Sequence, residues 1–337
     1  METSKQVVLI IGAGASNDLH GQFALGNELL KQISDRVTDR TSPNTPNLSN
    51  LLDKLGYDLS LRKDFVYHLD KYKITSESPS IDGFIDEISS YPEFVEVREK
   101  YVQIAKFAIM FHILGYESEL KNASVSGLKS DAWIHELAKF IDEKKILETD
   151  NDGYDLKIIT FNYDRNIEHY LYNHERFKDK KGKIKTYIEN SITHVYGKIG
   201  NLNWQSSQDS FEFGEQNDRA QKIYEGKNAI DLMYMERLQK NIDDNKASQW
   251  IHDYETTRIV GAFGFSFDLI NYRLLSLQNL ELIKNNIQVI ANIYPSNGDE
   301  YKSRRIMANR IRNVKHDVEL TYLSCTNYLK DILNRDT

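Results

Sequence analysis

The hydrophobic positions of this chain change period several times, and the changes divide it into segments. Val7-Val8-Leu9-Ile10-Ile11 is a continuous apolar run between Gln6 and Gly12, which predicts a strand over Gln6–Ile11 buried on both faces. The glycine turn Gly12-Ala13-Gly14-Ala15-Ser16 follows, then a helix around Asn27–Val37, giving a strand, turn, helix opening. Thr41–Asn50, with Pro43 and Pro46, predicts a surface loop or a hinge. From about Leu48 to Lys145 the apolar residues recur at helical spacing, as in Ile104, Phe107, Ala108, Phe111 and later Trp133, Ile134, Leu137, Ile141. No strand pattern interrupts them, so several helices packed as a lid or a small second domain are expected.

Strand signals return at Leu156-Lys157-Ile158-Ile159-Thr160-Phe161, followed by a helix from about Arg165 to Asn173. Further strands are readable at Ser191–Val195, Thr257–Phe263, Ile287–Ile293 and Val318–Leu323. Helices are expected near Ala229–Lys240, Asp268–Asn279, Glu300–Val314 and Cys325–Leu333. This alternation predicts an α/β fold, a Rossmann-like parallel sheet with helices on both faces, interrupted by a helical insertion. The expected division is residues 1–40 and 155–337 for a discontinuous nucleotide-binding domain and 41–154 for the insertion. Lys178–Lys185, dense in lysine, and Ser206–Asn228, polar and glycine-containing, read as solvated loops.

With 337 residues, 40% hydrophobic and 28% charged, the chain can bury a core and falls outside the disordered class. A formal net charge of −7 gives no overall basic footprint, so no direct nucleic-acid binding is expected and the lysine cluster reads as wet surface. One cysteine, Cys325, permits neither an internal disulfide nor a multi-cysteine zinc site. No metal and no zinc module are expected. Val7–Ile11 is too short for a signal-peptide core, and Ile104–Tyr116, which carries Lys106 and His112, falls short of the roughly 20 residues of a membrane span. The expectation is a soluble, cytoplasmic protein without membrane contact.

Four strand-end segments carry the candidate chemistry. Gly12–Ser16 either brings backbone amides close to a pyrophosphate or is a tight strand-to-helix turn, and Asn17 stands where a dehydrogenase fingerprint has its third glycine. Thr160-Phe161-Asn162-Tyr163-Asp164 closes an apolar strand at the edge where open α/β sheets bind ligands. There Asp164 either caps the next helix or, with Asn162, holds sugar hydroxyls, a carboxamide or a water. In Ile192-Thr193-His194-Val195-Tyr196-Gly197 the strand period puts His194 and Tyr196 on one face, looking into the cleft, unless His194 is a satisfied core histidine. Gly261–Asp268 is a further strand ending in glycine and small polar residues, with amides and a hydroxyl at Gly264, Phe265 and Ser266. Four such turns on one edge of one sheet ask the bland readings to coincide four times.

The set GAGAS at 12–16, TFNYD at 160–164, HVYG at 194–197 and GFSFD at 264–268, in this order around a helical stretch, resembles the sirtuin-like family of NAD-consuming proteins. The resemblance covers roughly the first thirty residues and the chain from Leu156 onwards. It implies that Gly12, Ala13, Gly14, Ala15 and Ser16 hold the cofactor phosphates and adjoining ribose, with Thr160 among the cofactor-binding residues. It further implies that Asn162 and Asp164 face the nicotinamide ribose, that Gly264, Phe265 and Ser266 support the ribose and adenine side, and that Asn292 meets the adenosine ribose. Where the family usually has a catalytic histidine before the third-motif glycine, this chain has Tyr196, and Ala24–Leu29 lacks the proline often found before its glycine. Three outcomes follow. His194 supplies the imidazole from two residues earlier; or Tyr196, a weak acid of pKa about 10, holds a ribose hydroxyl while water attacks unaided; or the site is inactive or conditionally active.

Deacylases of this family generally carry a four-cysteine zinc module, so the lone Cys325 argues for hydrolysis. Members with helical inserts resemble prokaryotic antiphage proteins that destroy NAD when a partner senses infection. The implied activity is an NAD+ glycohydrolase (NADase) that takes NAD+ as its substrate and yields nicotinamide and ADP-ribose in abortive-infection defence. The catalytic set would be Asn162, Asp164, His194 and Tyr196, and a trigger-sensing partner or a homo-oligomer would restrain the enzyme. Two alternatives stay open: a silent regulatory subunit that binds NAD or a related nucleotide, and a zinc-free NAD-dependent deacylase.

Overall fold

The structure is a computed structural model that describes residues 5–20, 23–24, 26–39, 47–76, 79–122, 132–148, 153–205, 210–215, 246–253, 256–265, 271, 275, 288–292 and 318–335. Its strands are β1 (Lys5–Ile11), β2 (Tyr154–Thr160), β3 (Ile192–His194), β4 (Asn201–Leu202), β5 (Ser210–Phe211), β6 (Thr257–Phe263), β7 (Gln288–Asn292) and β8 (Val318–Thr321). The helices are α1 (Ala13–His20), α2 (Gly26–Val37), α3 (Leu48–Lys54), α4 (Leu59–Thr75), α5 (Ile81–Ser90), α6 (Arg98–Asn122), α7 (Trp133–Glu143), α8 (Asn166–Asn173), α9 (Lys181–Ser191), α10 (Lys246–Ile251) and α11 (Cys325–Asn334). Short 3-10 turns lie at Pro92–Phe94 and Glu175–Lys180.

Contacts divide the chain into two units, Met1–Gly21 with Ser126–Val195 and Asn241–Thr337, and Gln22–Val125 with Tyr196–Lys240. In the first unit six strands form one all-parallel sheet in the order β3-β2-β1-β6-β7-β8. Numbered among themselves, these strands run 3-2-1-4-5-6, the doubly wound Rossmann-like arrangement. The direction of winding reverses between β1 and β6, so the topological switch point lies where Ile11 and Phe263 end their strands. β1 is buried from Gln6 to Ile11, as a central parallel strand covered on both faces must be. Helices flank the sheet: the Tyr187 hydroxyl of α9 donates to Leu156 O (3.0 Å), and that of Tyr328 on α11 to Ile290 O (2.6 Å).

The second unit is built from α2–α6 with the two-stranded β4–β5 ladder. Side chains cap several of its helices, Asn47 on α3, Asp58 on α4 and Ser80 on α5, each accepting an N–H of the first turn. Fully buried Arg62 of α4 ties that helix to α2 and α3, donating to Val37 O (3.0 Å), Ser49 O (2.9 Å) and Asp53 Oδ1 (2.5 Å). Its charge meets the last carbonyl of α2, where a cation complements the helix dipole.

Several expectations shift. The GAGAS segment is not a free turn: α1 begins at Ala13, so four of the five residues form its first turn. Lys178–Lys185 is helical rather than a loop, because Phe177 and Ile184 are buried and anchor the 3-10 turn and α9. Asn47 starts α3 inside the expected Thr41–Asn50 loop. The boundaries of the units also differ from residues 1–40, 41–154 and 155–337. Helix α2 belongs with the helical unit, packing on α4 and α6, whereas α7 belongs with the sheet, packing on α11 and donating Trp133 Nε1–H to Ala15 O (3.0 Å). Helices expected at Ala229–Lys240 and Glu300–Val314, and nearly all of Asp268–Asn279, lie outside the described residues.

Candidate functional site

At the switch point the glycines of two strand-end turns interlock. Gly12 N–H donates to Phe263 O (3.1 Å) and Gly14 N–H to Gly264 O (3.0 Å). A Cβ on Gly12 would stand 2.2 Å from Gly264 O, and one on Gly264, whose φ is +60°, would stand 2.2 Å from Ala15 N. Two backbones therefore pass where no side chain fits, and Gly264 also adopts a conformation that favours glycine. The expectation that the Gly12 and Gly14 amides face a ligand is corrected: both are committed to carbonyls of the neighbouring turn. Phe161 and Phe265, following β2 and β6, meet with ring centroids 4.7 Å apart across the end of β1, so Phe265 packs against Phe161. Ala13 is exposed and Ala15 buried at the start of α1. Ser266 lies outside the described residues.

Beside this interlock, α1 and the segment after β2 share a chain of side-chain hydrogen bonds. Asn162 Nδ2–H donates to Ser16 Oγ (2.8 Å), and Ser16 Oγ–H donates to Asp164 Oδ2 (2.9 Å). Asp164 Oδ1 accepts the N–H of Asn166, the first residue of α8 (3.1 Å), from the position before the N-cap Arg165, so Asp164 braces the start of that helix and joins the cluster as well. Thr160 Oγ1 accepts the Asn162 N–H (3.1 Å), fixing the turn between strand and cluster. Ser16, Asn162 and Asp164 are each no more than 5% exposed. Because the Ser16 hydroxyl proton goes to Asp164, Asn162 must present its NH2 to Ser16, which points its carbonyl oxygen elsewhere. That Oδ1 is buried and has no hydrogen-bond partner among the described residues, and neither Oδ1 nor Nδ2 of buried Asn166 has one there. Each such atom costs about 1–3 kcal/mol unless a donor or acceptor meets it.

His194 ends β3 opposite Thr160 of β2. Its Nδ1–H donates to Asn162 O (2.8 Å) and its Nε2 lies 2.9 Å from Glu168 Oε1. A carbonyl requires Nδ1 to carry a proton, and a further proton lies between Nε2 and the carboxylate. Both ring nitrogens are thus engaged, and His194 positions the Asn162 segment rather than presenting a free base. The shared strand face expected for His194 and Tyr196 is also corrected, since β3 stops at His194 and Val195-Tyr196 form a turn that hands the chain to the second unit. The cluster of the sheet unit is therefore Ser16, Asn162, Asp164, Glu168 and His194, with Asn166 joined to it through its backbone N–H.

Asn292, at the end of β7, has another task. Its Oδ1 accepts from Thr321 Oγ1 (3.1 Å) and Leu323 N (3.0 Å), while its Nδ2 donates to Leu323 O (2.9 Å). This clasp fixes the turn from β8 into α11 and occupies both acceptor positions of the amide oxygen. Sequence reasoning missed Glu168 and Asn166. Glu168, in the first turn of α8, has the pattern of a solvated helix-start acid and is 1% exposed because His194 reaches it across 26 residues. The one signal was spacing, since Asp164 and Glu168 stand four apart at a helix start.

No family model, no curated protein and no solved structure matches this chain. Among the described residues no group of three or more His, Cys, Asp or Glu is arranged to hold a metal ion, and no helix is long and apolar enough to cross a membrane.

Proposed function

We propose that the chain is a hydrolase of the nicotinamide N-glycosidic bond of NAD+, a member by resemblance of the sirtuin-like antiphage group. The observation that carries the reading is the buried Asn162–Ser16–Asp164 relay at the C-terminal ends of β1 and β2, whose Asn162 Oδ1 meets no partner among the described residues. In a doubly wound sheet this edge, next to the switch point, is where nucleotides bind. Water adds to C1′ of the nicotinamide ribose as the C–N bond breaks. Nicotinamide leaves as a neutral molecule, ADP-ribose keeps the new hydroxyl, and one proton is released. Asn162 Oδ1 accepts from the attacking water or a ribose hydroxyl, and the Asp164 carboxylate faces the positive charge that develops on the sugar. His194 holds the Asn162 backbone in place.

A second reading has its own support. With both nitrogens of His194 engaged and a tyrosine at 196, a module that binds NAD without cleaving it also accounts for the cluster. One experiment separates them: product analysis after mixing the purified protein with NAD+, alone and with the protein encoded beside it. Nicotinamide release that Asn162→Ala abolishes in a folded protein supports hydrolysis, and saturable binding with no product selects the silent module. Release that depends on the neighbour also supports restraint by a trigger-sensing partner. Formation of O-acyl-ADP-ribose when an acyl-lysine peptide is added would select the zinc-free deacylase.

A further inference from the structure

The helical unit contains a cavity of about 470 Å³ between α4, α5 and the 3-10 turn at Pro92–Phe94. This falls within the roughly 300–1,000 Å³ of small-molecule sites. Its inner wall is apolar: Phe84 and Ile88 from α5 and Phe94 from the turn line it and are each no more than 7% exposed. Thr75 Oγ1 is engaged with the Lys71 and Tyr72 carbonyls, and the charge-bearing groups that line the cavity are divided by helix. His68 and Lys71, three residues apart and so on one face of α4, bring N–H donors. Glu87 of α5 brings a carboxylate.

None of these three engages its polar atoms with a described residue, although the His68 ring packs against Tyr67, Phe94 and Tyr101. The His68 ring stands edge-on to Phe94, centroids 4.8 Å apart, and its nitrogens hydrogen-bond to no described residue. Lys71 and Glu87 form no ion pair among the described residues, although Lys73, on the same helix as Lys71, pairs with Asp70 (3.1 Å). The Tyr72 hydroxyl, by contrast, is already engaged by Ser76 and Ser80. Tyr91, which lines the cavity between α5 and the 3-10 turn, is half-exposed, while Tyr67 and Ile74 of α4 and Val95 after the turn are more exposed still.

We infer that this cavity is a binding site for a small zwitterion with an apolar body, the class of a free apolar or aromatic α-amino acid. The carboxylate lies toward His68 and Lys71, the ammonium toward Glu87, and the side chain against Phe84, Ile88 and Phe94. A ligand of one charge would leave one side of the site unanswered, and a purely apolar one would bury neither. The site lies in the helical unit and does not depend on the NAD reading.

The test uses the full chain and ligand-detected NMR or calorimetry with L-phenylalanine, N-acetyl-L-phenylalanine, L-phenylalanine amide and the doubly capped N-acetyl-L-phenylalanine amide. L-phenylalanine is expected to bind saturably, and each derivative lacking one charge at least about tenfold more weakly. Lys71→Ala should weaken L-phenylalanine and erase its advantage over the amide, while Glu87→Gln should erase its advantage over the N-acetyl form. Both substituted positions are solvent-accessible, so the fold should persist, with circular dichroism as the check. Absence of saturable binding up to about 10 mM, or binding unchanged in both variants, overturns the inference. So does equal binding of the doubly capped derivative, which would mark the cavity as a seat for a protein side chain.

Discussion

Ser16 Oγ lies 2.9 Å from Asp164 Oδ2, a contact that joins residues 148 apart in the chain through adjacent parallel strands. It places a hydroxyl of α1 and a carboxylate beyond β2 in one buried cluster. The first prediction follows directly. Ser16→Ala removes the atom between Asn162 and Asp164 and deprives Asn162 Nδ2 of its acceptor, at an expected cost of about 1–3 kcal/mol. Urea unfolding monitored on the sheet unit checks this, and an unchanged midpoint would mean that the relay contributes nothing to stability.

Glu168 acts through His194, which makes it a positioning residue. In Glu168→Gln the amide N–H can donate to a neutral Nε2 and keep the ring in place, whereas Glu168→Ala releases it. The expected order of nicotinamide release is wild type, Gln, Ala, with about tenfold between the last two, the equivalent of one hydrogen bond. Equal rates in Gln and Ala, both folded, would remove Glu168 from the site.

Two glycines with positive φ separate strain from crowding. At Gly56, φ +83°, a Cβ would meet nothing within 4 Å, so Gly56→Ala should cost only the left-handed backbone penalty of about 1–2 kcal/mol. Gly264→Ala adds a collision with backbone at 2.2 Å and should cost more than about 3 kcal/mol, enough to open the switch point. Comparable soluble yields and melting temperatures for the two variants would contradict the interlock.

His174 supplies a pH dependence. Its Nδ1 accepts Arg176 N–H (3.3 Å) and its Nε2 lies 3.2 Å from His135 Nδ1, an arrangement only the neutral ring can make. Burial first, then the His135 ring and Arg176, hold it below the usual histidine range, against the weaker opposing pull of Glu175 and Asp142. Below the unfolded histidine pKa of about 6.5 the unfolded chain binds the proton more readily. The contribution is therefore complete above that value and is lost as pH falls through the folded value. Urea midpoints from pH 7.5 to pH 5 should drop more for wild type than for His174→Gln, and parallel curves would exclude the effect.

Cys325 opens α11, a position that would by itself activate a thiol, yet it is fully buried. Burial dominates and, reinforced by Asp18, pushes the thiol far above its usual range. Native protein at about pH 8 should resist Ellman's reagent for hours and titrate one thiol in denaturant, and rapid native reaction would show that α11 opens.

The chain's own pattern determined the six strands of the main sheet and the parallel α/β class, because a fully buried parallel strand needs a run such as Val7–Ile11 and because strand and helix period alternate on a short length scale. It did not show the β4–β5 ladder, whose β5 lies in the segment Ser206–Asn228 expected as a loop. It also drew attention to Asn162 and Asp164, since two polar residues directly after so apolar a strand are costly unless used. Tertiary structure decided what those residues do. Periodicity could place α7 in a helix but not assign it to the sheet, which depends on Trp133 reaching Ala15. Motif spacing could set Asn292 and Gly264 at the ligand-binding edge, but not foresee that Asn292 clasps Leu323 or that Gly264 locks against Gly12. His194 looked like a base on a strand until Glu168 and the Asn162 carbonyl closed on its two nitrogens. Hydrogen bonds between residues distant in the chain leave no local period, and only the packing of the strands brings their partners within 3 Å.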